Sequence, residues 1–367
     1  MNAHSIYAPS SAFRWVVCNG SPQMELLYPD DEEGEAAAEG TAAHFYGSEM
    51  LLGRTATLAP NGLIITDEMR EGADYWIEDV LAVAGDRRDQ IQVEQRVAMP
   101  RIHPECFGTP DAWFYDQVNG CVYVWDFKFG HGIVEVFENW QLIAYVCGIL
   151  DLLGIDGRND QHLWVDMRVA QPRAWHRQGR VRSWRVLASD LRGYFNRLHH
   201  AAHGTGLQTG SHCLHCRARA ECPTLRRATL GALDFLGTAT PEQLPADAVG
   251  RDLTLLYLLE SMVKARLSGL EASVEARLRK GEAIEGWALE NTYGRQKWAQ
   301  SPEDVFLMGD LLGVDLRKPP EPITPTQARK KGVDASVISA YSETPRTGAK
   351  LVPAENLLSR ARAAFGE

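Results

Sequence analysis

From Gly108 to Tyr145 the chain reads GTPDAWFYDQVNGCVYVWDFKFGHGIVEVFENWQLIAY, with two runs rich in aromatic and β-branched residues flanking Asn119-Gly120. Asn-Gly between such runs is a strong short-range signal for a tight β-hairpin. A two-residue turn would pair Val118 with Cys121, Trp113 with Asp126 and Asp111 with Lys128. Directly opposed residues share a sheet face, as do residues two apart on one strand. Asp111, Asp126 and Lys128 are therefore expected on one face. Two acids and a lysine grouped this way are costly in a core and well suited to a metal site. A one-residue slip in the loop would undo the argument.

The following segment supports it. Glu135 to Leu153 reads as a helix, with Val136, Trp140, Ile143, Val146 and Leu150 at roughly helical spacing. Gln141 and Tyr145 are four apart and share a helix face. A helix after the hairpin brings that pair to the acidic face.

Upstream, Asp30 to Glu39 is acidic, Gly40-Thr41 interrupts, and Ala42 to Leu52 looks helical with His44 near its start. Thr66 is placed to cap a helix running to about Ala84. Ile91 to Val97 reads as a strand, with Glu94 on the face opposite Val93 and Gln95. Downstream, His162 to Ala170 reads as a strand, and a helix begins at Ser189 or Asp190 and ends near His203. This order fits an α/β core with a mixed central sheet flanked by helices.

These residues carry a resemblance. Asp111, Asp126-Phe127-Lys128 and Gln141-x3-Tyr145, taken in order, resemble the PD-(D/E)XK nuclease core, a restriction-endonuclease-like fold, in its RecB-like branch. Gly40-Thr41-Ala42-Ala43-His44 resembles that branch's upstream motif, in which a helical His helps bind metal. Glu94 matches its additional acid. Cys18 with Cys213-x2-Cys216-x5-Cys222 resembles the split four-cysteine iron–sulfur frame of some members. The likeness covers about residues 10 to 225, and is closest to an uncharacterised phage and prophage group of this layout. It implies Mg²⁺ or Mn²⁺ held by His44, Asp111, Asp126 and the Phe127 carbonyl. It also implies roles for Lys128, Glu94, Gln141 and Tyr145 in catalysis. Without it, His44 reads as a structural helical histidine and Glu94 as an exposed strand acid.

The cysteines carry their own argument. Closely spaced cysteines in a cytosolic protein suggest metal more than disulfides. Four thiolates are what a cubane cluster needs, and a structural Zn²⁺ also accepts four, or three with His212 or His215. Spacing does not decide between them; the resemblance implies [4Fe-4S]. Asn19 stands where a proline is expected after Cys18. Cys106, Cys121 and Cys147 fall in or near apolar runs and read as core thiols.

Charge and composition narrow the partners. The net charge of −10 argues against indiscriminate coating of nucleic acid. Residues 171 to 200, however, hold Arg173, Arg177, Arg180, Arg182, Arg185, Arg192 and Arg197 against one acid, Asp190, interleaved with Trp175, Trp184, Tyr194 and Phe195. Such a mixture suits a groove that tracks phosphates and stacks bases, Arg173, Arg177, Arg180, Arg182 and Arg185 being the candidate DNA contacts. It is equally the composition of a solvated strand and helix face. No apolar run reaches about 18 residues, so no membrane span is expected. The N-terminus does not read as a signal peptide, which points to the cytoplasm, the host's if the protein is phage-encoded. No GxxxxGK[ST] loop appears, so no built-in ATP motor is expected.

Residues 1–232 thus read as the nuclease domain and 233–367 as a mainly helical extension. Within the latter, 240–250 looks linker-like or briefly helical, and Arg251 to Lys280 is a long helix. Gly286 to Trp298 suggests a strand pair, and Pro302 to Leu312 a short helix. Thr324 to Gln327 reads as a capped helix start, and a terminal helix begins at Pro353. The expected activity is exonucleolytic hydrolysis of linear DNA ends, single- or double-stranded, in phage recombination or DNA processing, with a phage single-strand annealing protein as a candidate partner. The alternatives are a flap or junction endonuclease, and a non-catalytic DNA-binding or assembly protein on the same fold.

Overall fold

The computed structural model describes residues 5–29, 34–157, 159–235 and 246–289, with residues 303, 307 and 311. A mixed five-stranded sheet is its centre, in the order β1-β4-β5-β6-β7. The strands are β1 (Gln92–Val93), β4 (Ala112–Asp116), β5 (Cys121–Phe127), β6 (Trp164–Ala170) and β7 (Val181–Leu187). β2 (Val97–Ala98) and β3 (Phe107–Gly108) pair separately. Only β5 and β6 run parallel; the other neighbours in the large sheet are antiparallel. A parallel pair needs a crossover, and α5 (Trp140–Leu152) supplies it.

Alternation along the strands builds two cores. Trp113, Val122, Val124, Val165, Met167 and Val169 pack with α1 (Ala12–Trp15), α5 and α6 (Arg192–Ala202). Ala112, Phe114, Trp125 and Phe127 point the other way, into α3 (Glu35–Leu51) and α4 (Asp67–Ala84). Trp125, Phe127, Leu142 and Ile143 are wholly buried. Each such side chain contributes about 1.5–3 kcal/mol of transfer free energy.

The hairpin register differs from the expected one. Asp116, not Val118, pairs with Cys121, so Trp113 stands opposite Val124 and Ala112 opposite Trp125. The loop is longer because Asp116 organises it. Its carboxylate accepts the N–H groups of Val118 and Asn119 and holds Arg87. The shift is two residues, so every side chain keeps its face.

Other boundaries also move. α3 runs unbroken through Gly40-Thr41. The strand expected over residues 91–97 breaks at Glu94, whose φ is +50°, into β1 and β2. α5 starts at Trp140 rather than Glu135, because Asn139 caps it by accepting the N–H groups of Gln141 and Leu142. Asp190 lies in a 3₁₀ turn ahead of α6. Thr66 caps α4 as expected, accepting the Met69 N–H.

α2 (Ser21–Glu25), α7 (Pro223–Phe235) and the long α8 (Ala246–Arg279) complete the helices. α8 packs on the cysteine segment. A Cβ on its Gly269 would lie 2.6 Å from Arg219 Cγ, and Ala265 is fully buried beside Leu225 and Cys213. Contacts group residues 1–289 into one compact unit and 290–367 into a second, and α8 falls in the first. Of the strand pair expected over Gly286 to Trp298, Trp287 forms an isolated bridge with Ile284, which lies ahead of it, and residues 290–298 lie outside the described residues. Residues 303, 307 and 311 are helical, while the capped start at Thr324 and the helix from Pro353 lie outside the described residues. Among the described residues no helix is long and apolar enough to cross a membrane.

Candidate metal centre

The hairpin places Asp111 just before β4, while Asp126 and Lys128 lie at the far end of β5. Asp111 Oδ2 accepts the Phe127 N–H at 2.6 Å, which fastens the two strand ends together. From the α3 layer, His44 Nδ1 reaches within 3.4 Å of Asp111 Oδ1. The break at Glu94 turns its carboxylate the same way. Its own N–H donates to the Asp111 carbonyl at 3.2 Å, and its Oε1 accepts from Ser48 Oγ at 3.1 Å. Among the described residues, His44, Glu94 and Asp111 are the group of three that brings its ligand atoms within 4.8 Å of one another. They come from three separate parts of the chain.

The α5 layer closes the other side. Asp126 Oδ1 takes both Lys128 Nζ and Gln141 Nε2 at 2.8 Å. Lys128 Nζ also lies 3.2 Å from Gln141 Oε1, and Gln141 Nε2 lies 3.4 Å from the Tyr145 hydroxyl. Asp126 Oδ2 is buried with no hydrogen-bond partner. A buried carboxylate oxygen left unpaired is costly. A cation is the ligand that would satisfy it, and imidazole with carboxylates is a donor set that divalent metals accept.

The charges are strongly perturbed. Burial raises the Asp126 carboxyl above its usual value, and the Asp111 charge adds to that. Burial acts the same way on Asp111, but His44, Lys128 and the Phe127 N–H outweigh it and hold Asp111 low. Burial opposes charge on His44 and Lys128, yet the two aspartates win and both cations are raised. Glu94 is exposed as a residue, but its carboxylate end is crowded. Desolvation and Asp111 push it up to about 7. Burial with the two aspartates raises Tyr145, so its hydroxyl stays neutral.

All the residues expected here meet at one place: His44, Glu94, Asp111, Asp126, Lys128, Gln141 and Tyr145. Phe127 enters through its N–H. Ser48 was not foreseen, although its spacing of four from His44 on α3 places it on the same helix face.

The arginines differ in their surroundings. β7 alternates, so Arg182 points inward and is buried, its Nη2 donating to Val134 O at 2.7 Å and Gln171 Oε1 at 2.8 Å. As a direct DNA contact it is corrected: the strand's pleat puts it under the loop that follows Lys128. Arg173 is engaged by Glu39 and Glu68, Arg180 lies over Tyr75, and Arg185 lies over Trp164. Arg177 is exposed.

The cysteines gather at a second place. Cys18, Cys213, Cys216 and Cys222 line one cavity with Leu207 and Leu225. The chain ends that bring them together are tied independently. Gly20 N–H donates to Gly206 O, Arg14 Nη1 to His215 O, and Arg217 N–H to Glu25 Oε1. Asn19 keeps the turn without a proline, its Nδ2 donating to Trp15 O at 3.0 Å. Cys18 Sγ accepts the Gln208 N–H, and burial lifts the Cys216 thiol to about 12. His212 Nε2 is bonded to Gln208 O. Cys106, Cys121 and Cys147 are buried core thiols, as expected.

Fold and site together define a mixed α/β protein with helices on both sheet faces, a carboxylate–lysine centre at one sheet end and a four-thiol cavity. Residues 4–311 match the family described as DUF2800, protein of unknown function, and the chain belongs to that family.

Proposed function

We propose that this protein is a metal-dependent deoxyribonuclease of the PD-(D/E)XK class, RecB-like branch, acting as an exonuclease on linear DNA ends. The observation that carries this reading is the meeting of the His44, Glu94 and Asp111 ligand atoms within 4.8 Å, beside Asp126, Lys128 and Gln141.

His44, Glu94, Asp111 and Asp126 would hold a divalent ion, with the Phe127 carbonyl as a further oxygen. Carboxylates suit Mg²⁺ and Mn²⁺ alike, and the imidazole tilts the choice towards Mn²⁺. An ion bound there supplies a Lewis acid for the phosphoryl group. The chain's own residues do the rest. Lys128 keeps its proton, so it serves as a fixed positive charge against the phosphate and not as a base. Gln141 bridges Lys128 and Asp126 and holds both in place. The neutral Tyr145 hydroxyl is available as a donor to the strand. Hydrolysis adds water across a P–O bond, the oxygen going to phosphorus and a proton to the departing sugar oxygen.

The cavity of four cysteines fits a [4Fe-4S] cluster joining the N-terminal arm to the segment after α6. Zinc is the rival, and its four thiolates would close in around a single ion at about 2.3 Å each. Exposed Arg177, with Arg180 and Arg185, remains the candidate DNA-contacting set, and a single-strand annealing protein the candidate partner.

The test uses cluster-loaded protein with Mn²⁺ or Mg²⁺ on linear duplex labelled at either end, and on closed circles. Shortening of linear DNA from one end with circles spared supports the exonuclease. Cleavage of circles or flaps moves the reading to an endonuclease. Binding without cleavage moves it to an assembly role.

A further inference from the structure

Lys128 and Gln141 are joined by a loop in which residues 130–133 have no apolar anchor. Phe129 and Val136 are buried near its ends, and Gly130, His131, Gly132 and Ile133 between them are exposed. Two buried polar side chains hold it instead. Gln171 Nε2 donates to Gly130 O at 3.1 Å and to Gly132 O at 2.6 Å. Gln171 Oε1 accepts the Val134 N–H at 3.1 Å, and Arg182 Nη2 donates to Val134 O.

This anchoring fixes which way the peptides face. The peptide bonds are trans, and in a trans peptide the N–H points opposite to the preceding C=O. Turning the Gly130 and Gly132 carbonyls inward turns the His131 and Ile133 N–H groups outward. Neither has an acceptor among the described residues. The glycines add an independent observation. Neither has a φ in the left-handed region that favours glycine, and a Cβ on either would meet nothing within 4 Å. The protein's own packing therefore has no use for glycine at these two positions. Glycine does leave backbone open to close approach by a ligand.

We propose that the His131 and Ile133 amides, aimed by Gln171 and Arg182, form a phosphate-binding loop beside Lys128 for a backbone phosphate of a nucleic-acid strand. This rests on the nuclease reading and names how that site grips its substrate. Amide hydrogen bonds to a phosphate oxygen are charge-assisted, and such contacts fix strand register without reading sequence. The loop's acids lie towards its other end. Glu138 accepts the Tyr194 hydroxyl at 2.6 Å, and Glu135 faces His176 at 3.8 Å.

The test measures binding of a fluorescent oligothymidylate by the full-length, cluster-loaded protein in Ca²⁺, over a range of salt. It compares wild type with Gly130→Val and Gly132→Val, and melting curves accompany each. The expected result is about tenfold weaker binding for each variant, with unchanged melting temperature. The salt slope should also be unchanged, since a neutral amide displaces no counterion. Variants that bind as tightly as wild type overturn the loop proposal and leave the nuclease reading intact. Wild type that binds in Ca²⁺ but leaves the same oligonucleotide intact when Mn²⁺ replaces it, with weakened variants, keeps the loop and removes the nuclease. Wild type that does not bind overturns both.

Discussion

Lys128 Nζ and Gln141 Nε2 both lie 2.8 Å from Asp126 Oδ1, which leaves Asp126 Oδ2 buried and without a partner. One oxygen of this carboxylate therefore serves the protein and the other is left for a ligand. Asp126→Asn should abolish the thermal stabilisation that Mn²⁺ gives the wild type. Lys128→Ala should keep it, because lysine is not a ligand. Melting curves with and without Mn²⁺ read this directly, and equal stabilisation of wild type and Asp126→Asn would contradict the assignment.

Glu94 supplies a pH prediction for the metal-free protein. Its carboxyl is raised to about 7 in the fold, against about 4.3 in an unfolded chain. The folded state then holds the proton more tightly than the unfolded state. Stability must fall as pH rises between those two values, and level off above. Glu94→Gln should remove that fall, so it should gain on the wild type between pH 5 and 8 in urea titrations. Saturating Mn²⁺ should close the gap.

Asp116 predicts the opposite slope. Arg87 and the Asn119 contacts hold its carboxyl well below the usual carboxylate range. That stabilisation is full above about pH 3.9 and is lost as pH falls through the lowered value. Asp116→Ala strands the Val118 and Asn119 N–H groups and the Arg87 guanidinium. It should cost about 1–3 kcal/mol at neutral pH. The difference from wild type should shrink in strong acid; a constant difference would argue against an ionic role.

The thiols separate into two classes. Cys18→Ser and Cys222→Ser should each lose visible iron–sulfur absorbance and lower the melting temperature. Cys121→Ala should keep the absorbance, since Cys121 is buried in β5 away from the cysteine cavity. Loss of absorbance in all three would point to general unfolding instead.

Much of this centre was legible in the sequence because its logic is local. Two acids and a lysine keep a common face under any two-residue shift of register, so the wrong turn length did no harm to the site. Gln141 and Tyr145, four apart, needed only helical spacing. What stayed hidden depended on distant partners. The break at Glu94 follows from backbone that turns to meet Asp111 and Ser48, and no local pattern announces a positive φ at a glutamate. Arg182 looked like part of a basic surface. The strand pleat and the loop over it, contributed by residues 130–134, put it inside. Val136 continues the spacing of α5, and Asn139 stops the helix from including it.

The activity proposed for the carboxylate–lysine centre at the sheet end is hydrolysis of DNA. The most direct test is single-turnover cleavage of linear duplex by anaerobically purified, cluster-loaded wild type and Lys128→Ala, with Mn²⁺ and with chelator. A metal-dependent wild-type rate that falls by about 10²–10³-fold in Lys128→Ala is predicted, the size of effect expected from removing one preorganised charge. Metal-independent cleavage, or equal rates for the two proteins, would contradict it.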